Sequence, residues 1–483
     1  MLAGLVDAKD WAQEEFAAAE LGDRRRTRRL QKVAAALADR PGGTLPPSFS
    51  GWAELKAAYR LLDSDGVTYQ SILEPHWARV RQECQAPGEY LMVEDTTELD
   101  FTSAPADDLG PLDEGVGRGM YLHSTMCMRI HRWSDHQEPQ VTLLGLAAQH
   151  CWMREEASRR PKKEKLSQAL SRPRESQRWA AAVEQVGPPP AATRYTYMAD
   201  RESDVYEVPG RCRAADWDFI IRANQPRALV GQDGSVFDAV ADRPPLTTFA
   251  LELRSRPPRV IARNKKTGKR TRVRMAHKGR TVQLEVRACT VTLRPPWRPG
   301  EKLEPQTVQI VEAKEIHVRP GDDPIHWVLI TSWPCHTAEQ VMRVVKAYTR
   351  RWLIEEYHKA LKTGTRIEDT QLTKACRIEA LLALLAVVSV RLLSRKLLAR
   401  TCGQEAMELE GLDQEALLIL ESEFGRPAEG WTNHNFFRAI ARLGGFIGRK
   451  SDGEPGWINI WRGWGRLMMM LRGFDLAREK RCG

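Results

Sequence analysis

Residues 348–362 read YTRRWLIEEYHKALK. Taken as one α-helix, each residue turns the chain by about 100°. With Tyr348 at zero, Arg351, Glu355 and Lys362 fall at about −60°, −20° and −40°, a single polar stripe. Leu353, Ile354, Tyr357, Ala360 and Leu361 gather opposite, so the helix has an apolar side for a core. Trp352 breaks the pattern by lying near the polar stripe. The plain interpretation is a solvated face with i, i+4 charge pairs. The sharper one is a carboxylate for a metal ion, flanked by cations and a phenol for a polyanion. The helix alone does not choose between them. The rest of the chain has to supply partner carboxylates and a reason to bind polyanions.

Composition supplies the second. The chain has 483 residues, 42% hydrophobic and 28% charged, which fits a globular protein of several domains with ample core. Its net charge of +10 favours a polyanionic partner, most often nucleic acid. The nine cysteines are scattered with no C-x-x-C pair, which argues against a disulfide framework or a zinc finger and suits a reducing cytosol. The start, MLAGLVDAKDWAQEEF, lacks a signal-peptide layout. The longest apolar run, ALLALLAVVSV at 380–390, is too short for a bilayer and reads as a buried helix, so no membrane association is expected.

Along the chain, residues 1–70 read as helices broken by Pro and Gly, with a dense cluster at Arg24, Arg25, Arg26, Arg28 and Arg29. From residue 89 the character changes. EYLMVEDTTELDF is a short apolar run ending in acids and hydroxyls, a strand with Asp95 at its C-terminal end. MYLHSTMCMRI and QVTLLGLAAQHCWM read as further strands, and RRPKKEKLSQALSRPRES (159–176) as a loop or mobile helix. RYTYMADRESD is a strand ending at Asp200, and WDFIIRANQPR is another. Residues 226–325 read as an antiparallel insertion with basic runs such as RNKKTGKRTRVR. HWVLITSWP leads into the opening helix, and residues 365–483 read as mostly helical.

Strands at the centre of a mixed sheet present their C-terminal residues to a crevice. Asp95, Asp200 and Glu355 meeting there would repel one another unless a cation lay between them. An all-oxygen set of carboxylate, water and phosphate suits Mg²⁺, with Mn²⁺ able to substitute. Two such ions can activate an attacking oxygen and stabilise a leaving one in phosphodiester chemistry.

With these residues in place the sequence resembles the bacterial insertion-sequence DDE transposases of the IS-four family. Their third motif, Tyr-x2-Arg-x3-Glu-x6-Lys, is matched by Tyr348, Arg351, Glu355 and Lys362. The first acid lies in VEDTT (Asp95) and the second in ADRESD (Asp200). Further matches run through nearly the whole chain: DWA and LGDRRRTRRL near the start, AYRLL at 58–62, YLHS at 121–124, HWVLITS at 326–332, then AIARLGGF and WINIWRGW near the end.

The resemblance implies an α/β fold: an RNase H-like core with an inserted antiparallel β subdomain, flanked by helical N- and C-terminal domains. It implies residues 1–70 as a DNA-end-binding domain, 71–400 as the catalytic domain with its insertion at about 226–325, and 401–483 as a dimerisation domain. The implied activity is cut-and-paste DNA transposition by nicking, hairpin formation and resolution, and strand transfer. The implied setting is the bacterial cytosol, on nucleoid DNA. The partners would be double-stranded transposon ends and target DNA, bound by a homodimer. Asp95, Asp200 and Glu355 would ligate two Mg²⁺ ions. Arg351 and Lys362 would neutralise phosphates, Tyr348 would hydrogen-bond one, and Arg222 would line the site. Trp327 would stack on an extruded base. Arg25, Arg26, Arg29 and Arg60 would contact the DNA end. Trp457, Trp461 and Trp464 lie at helical spacing, a pattern usual in a core but here favoured as part of the dimer interface.

Three features depart from the family pattern. Arg24 and Arg28 are extra basic residues, GVGRGMYLHS lacks an aromatic pair before its LHS, and the basic loop of the insertion differs. Two other functions compete: a DNA-binding repressor of transposition that has lost catalysis, and a nuclease acting on branched DNA. The intact acidic triad argues against the first, and the Tyr-Arg-Glu-Lys set with Trp327 against the second.

Overall fold

The computed structural model describes residues 8–40, 44–49, 51–112, 117–133, 138–155, 178–253, 259–263, 270–274, 279–297, 302–319, 322–401, 414–449 and 452–479. The expected loop at 159–176 and the centre of the basic loop at 264–269 lie outside these residues.

The chain opens with helices α1 (Ala8–Glu15), α2 (Arg24–Asp39), α3 (Trp52–Leu62) and α4 (Tyr69–Glu83). Asp23 caps α2 by accepting the Arg25 amide at 2.8 Å, and Thr68 with Ser71 forms a capping box on α4. Strands β1 (Gly88–Asp100), β2 (Gly110–Pro111), β3 (Arg118–Arg132) and β4 (Gln140–Trp152) follow. Next come α5 (Arg178–Val186), β5 (Thr193–Ala199), α6 (Glu207–Ala214), β6 (Asp218–Arg222) and α7 (Val236–Ala241). The insertion contributes β7 (Thr247–Leu253), β8 (Arg259–Arg263), β9 (Arg270–Arg274), β10 (Arg280–Leu293) and β11 (Gln306–Ile316). The chain then returns through β12 (His326–Thr331). Helices α8 (Ala338–Thr349), α9 (Trp352–Lys359), α10 (Ala375–Thr401), α11 (Gln414–Phe424), α12 (Asn433–Leu443) and α13 (Trp457–Glu479) complete it.

Among the described residues the main sheet has ten strands, ordered β2-β3-β1-β5-β6-β12-β11-β10-β7, with β4 also paired to β3. β4, β3 and β1 run antiparallel, while β1, β5 and β6 run parallel to one another. That arrangement is an RNase H-like core. The inserted strands β7, β10 and β11 are not a separate layer, because they extend the same sheet beyond β12. Among the described residues only the β8–β9 hairpin stands apart.

Both faces of the central sheet are covered, so the central strands are near-continuous apolar runs. Leu91, Val93 and Met198 face one core together with Ile354, Tyr357 and the length of α10. Tyr90, Met92, Tyr195, Tyr197 and Ala199 face the other with Trp179 and Phe219. Helix α10 is apolar nearly all round and buried, as its sequence suggests, and it threads between the sheet and the flanking helices. Residues of α1–α3 belong to the same core as the catalytic sheet. By contrast α11–α13 share a cluster of their own around Leu420, Phe436 and Leu467. No helix among the described residues is long and apolar enough to cross a membrane.

Candidate active site

The parallel register of β1 and β5 brings two acids together. The ladder ends at Glu94 opposite Ala199, so Asp95 and Asp200 are the next residues on neighbouring strands. Adjacent strands lie about 4.8 Å apart. Alternation puts both side chains on the face of Leu91, Val93 and Met198, the face that the late helices cover. Asp95 does not end its strand as the sequence suggested, since β1 runs on to Asp100 against β3. What ends there is the parallel ladder with β5. Asp200 caps a short turn by accepting the Glu202 amide at 2.9 Å.

Residues 348–362 are not one helix. After α8, the amides of Arg350, Arg351, Leu353 and Ile354 bond three residues back, at 2.9, 3.0, 3.0 and 3.2 Å. This tight stretch leads into α9, and a looser π-helical turn at Ala360–Gly364 follows. Such turns often mark functional sites. The apolar side is as expected: Leu353, Ile354, Tyr357, Ala360 and Leu361 are all buried. Tyr348 differs from the expected polar stripe, because the break lets it turn into the core, where it is 3% exposed. Glu355 stays half-buried and pairs with Arg351 Nη2 at 2.5 Å. Trp352 stands out on the surface of α9 at 47% exposed.

Electrostatics shows that the three acids share one environment. Burial first, then the charge of Asp200, pushes the Asp95 carboxyl up to about 8. Arg351 opposes this shift and Glu355 adds to it. Burial also works against the charge of Arg351, but Tyr348 and Glu355 outweigh it and hold the guanidinium protonated. No three His, Cys, Asp or Glu side chains among the described residues are gathered as a ready metal cage. Glu355 is paired with Arg351 instead. The donor set itself, three carboxylates that repel one another, fits a hard divalent cation.

Other expected residues surround these acids. Arg222 donates from Nη2 to the His326 carbonyl at 2.9 Å. Burial lowers its pKa, and Tyr348, Arg201, Arg351 and Asp200 are the charges it feels. Trp327, half-buried, meets the Tyr348 ring edge-on at 5.3 Å. The Tyr348 hydroxyl is buried with no hydrogen-bond partner, beside Arg351 and Arg222. Lys362 lies on the π-helical turn, 3.5 Å from Glu368.

Sequence reasoning missed several residues. His358 is buried with Nδ1 3.7 Å from Asp95 Oδ2. Burial, then the charges of Lys362, His123 and Arg351, push its imidazole down to about 3, so it is neutral. The Glu-x-x-His spacing of Glu355 and His358 was the available signal. Gln149 is a second omission. It donates to Ser124 Oγ and Tyr357 Oη, each at 2.8 Å, and accepts from Tyr69 at 2.7 Å. That buried network ties β3, β4, α4 and α9 together beside Asp95, whose partner on β3 is Ser124.

The N-terminal arginines divide by environment. Arg25 is 89% exposed at its side chain and pairs with Asp23 at 3.0 Å. Arg26 instead turns inward, donating to the Leu21 carbonyl at 3.1 Å. Arg29 is half-buried, whereas Arg24, Arg28 and Arg60 are exposed. Of the C-terminal tryptophans, Trp464 is buried in the local core and Trp461 donates its indole N–H to the Gly364 carbonyl. These two therefore pack within the chain rather than forming a free face, and the side chain of Trp457 lies outside the described residues.

Three family models match this chain. "Transposase DNA-binding" covers residues 8–67, "Transposase DDE domain" covers 172–391, and "Transposase Tn5 dimerisation domain" covers 398–482. The chain is a DDE transposase resembling the Tn5 enzyme. The DDE match takes in Asp200 and Glu355, while Asp95 lies before it. A solved structure titled as the piggyBac transposase synaptic complex with hairpin DNA also aligns. It covers 90% of this chain and 76% of that one, at 9% identity and a TM-score of 0.36. The transposase thus acts in DNA transposition, carries DNA-binding and dimerisation regions, and belongs to a class that depends on divalent metal.

Proposed function

We propose that this transposase performs cut-and-paste transposition through nicking, hairpin formation, hairpin resolution and strand transfer, with Asp95, Asp200 and Glu355 as its metal ligands. The observation that carries this reading is the parallel register of β1 and β5, which sets Asp95 and Asp200 side by side on the face that the helix bearing Glu355 covers. Carboxylates that repel one another carry a stability cost, which Arg351 offsets in part and a bound cation would offset further. Mg²⁺, two ions per site with Mn²⁺ as a substitute, would supply activation of the attacking oxygen and neutralisation of the leaving one. Glu355 would hold an ion only by giving up its pairing with Arg351, whose guanidinium would then be available to phosphate.

Each chemical step is an in-line displacement at phosphorus: one P–O bond forms as another breaks. Water supplies the first nucleophile, the freed 3′-OH attacks the opposite strand, water reopens the hairpin, and the 3′-OH joins the target. Arg351, Lys362 and Arg222 clamp phosphates around this path. The buried, unpartnered Tyr348 hydroxyl donates to one of them. Trp327 offers its ring to a base unstacked by the hairpin bend, a contact worth about 1–3 kcal/mol.

In this reading residues 1–70 hold the transposon end, 71–400 do chemistry with the insertion at 226–325 widening the sheet, and 401–483 join two copies in the synaptic complex. The inverted-repeat end and the target are double-stranded DNA of the bacterial nucleoid. Exposed Arg25 and Arg60 contact backbone phosphates, with Arg29 beside them, whereas Arg26 chiefly holds the loop that presents them. Five arginines among the first six residues of α2 oppose the helix dipole, an unfavourable placement that a DNA phosphate would offset.

The test is nicking of labelled duplexes carrying candidate terminal repeats, with Mg²⁺, by wild type and by Asp200→Ala and Glu355→Ala. Wild-type nicking and hairpin formation, abolished in both variants, is expected. A variant as active as wild type on the same end would sink the assignment.

A further inference from the structure

His358 occupies a place in which packing alone does not account for it. The residue is 6% exposed, one turn after Glu355 on α9. Its Nδ1 lies 3.7 Å from Asp95 Oδ2, and its Nε2 is buried with no hydrogen-bond partner. An imidazole with an unmade hydrogen bond is costlier to bury than a leucine of similar reach.

The surroundings fix the distance between the two groups. Tyr357, the preceding residue, is held by Gln149, which also holds Ser124. Ser124 is the residue opposite Asp95 in the β1–β3 ladder. One amide side chain therefore ties α9 to β3, the strand paired with the one that carries the acid. The other Asp95 oxygen, Oδ1, already accepts the Thr96 amide at 2.9 Å.

We propose that His358 is a positioning residue for Asp95, its Nδ1–H donating to Oδ2 so that the carboxylate presents its remaining lone pairs to a divalent ion. The inference rests on Asp95 being a metal ligand. The 3.7 Å contact is about an ångström longer than a hydrogen bond, and catalytic hydrogen bonds are commonly loose before the full complex forms. The carboxylate that an ion draws in is ionised and a better acceptor, which closes the gap. Outer partners of this kind orient metal ligands generally, and their loss weakens metal binding about 10- to 100-fold.

Three variants test it: His358→Asn, His358→Gln and His358→Leu. The Asn amide nitrogen sits near the Nδ1 position, while that of Gln sits near Nε2. Mn²⁺ binding to the full-length protein is measured from the electron paramagnetic resonance signal of free Mn²⁺, and Mg²⁺-dependent nicking is measured in parallel. The Leu and Gln variants are expected to bind Mn²⁺ about tenfold more weakly, and Asn to stay within about twofold of wild type. Should Leu fail to fold, the Asn and Gln pair still decides. Wild-type Mn²⁺ binding in Gln and Leu, or Asn as impaired as Gln, overturns the inference. Asp95→Ala serves as the control. If it binds Mn²⁺ and nicks like wild type, the carboxylate assignment fails and this inference with it. If it is inactive while the His358 variants match wild type, only the His358 role fails.

Discussion

Glu94 and Asp95 are neighbours in sequence and opposites in setting. Alternation along β1 sends them to opposite faces of the sheet. Glu94 is fully buried, and its oxygens are met by His123 Nε2 at 3.1 Å and Thr125 Oγ1 at 3.0 Å. His123 is held in turn by Thr96 Oγ1 at 2.9 Å. Asp95, its side chain 15% exposed, faces two other acids, and burial together with those acids pushes its carboxyl up to about 8. A buried carboxylate with its partners in place holds a fold together. Carboxylates gathered against one another store repulsion that a ligand can release.

The contrast is testable, with the largest effect on chemistry. Asp95→Ala is expected to cut nicking on the order of 10³-fold while leaving the metal-free melting temperature at pH 8 unchanged or higher, because a repelling charge is gone. Nicking assays with thermal melts check both signs, and a marked loss of stability would break the contrast. Glu94→Ala should do the reverse. Leaving His123 and Thr125 without their buried acceptor costs about 3 kcal/mol, read as a lower denaturation midpoint, with near-normal nicking per folded molecule.

A third expectation concerns pH. The folded Asp95 pKa is raised, so its contribution to stability is present at low pH and lost as pH rises through about 8. Metal needs the ionised carboxylate. Mg²⁺ should therefore raise the melting temperature more at pH 8.5 than at pH 6, and Asp95→Asn should flatten that difference while Glu94→Gln preserves it. An equal Mg²⁺ shift at both pH values would count against the site. Smaller again is Gln149→Leu, which leaves Ser124, Tyr357 and Tyr69 short of partners beside Asp95. A loss of about 1–3 kcal/mol is expected, with reduced nicking as α9 loosens, measured by denaturant titration and end cleavage.

Much of this was legible because periodicity and strand-end acids are local signals. The apolar side of 353–361, the buried run at 380–390 and the strands carrying Asp95 and Asp200 follow from patterns a few residues long. Less legible was the path of residues 348–362. A uniform 100° turn per residue does not foresee a tight stretch at 350–354 or a π-helical turn at 360–364, nor that Tyr348 is buried while it faces Arg351 and Arg222. The tryptophans near the C-terminus carried a helical stripe whose partner no local pattern names, and Gly364 supplied it for Trp461.

By itself the sequence determined the chemistry available: the three acids, the Tyr-Arg-Glu-Lys spacing, a basic chain suited to DNA, and an α/β order of elements. Residue types and short-range periods suffice for that. Only the tertiary structure decided which acid repels and which is satisfied, that Glu355 is held by Arg351, and that His358 and Gln149 stand behind the site. Those facts depend on register between strands far apart in the chain and on the burial that follows from it. Burial in turn sets the cost of each charge, a quantity no single segment carries.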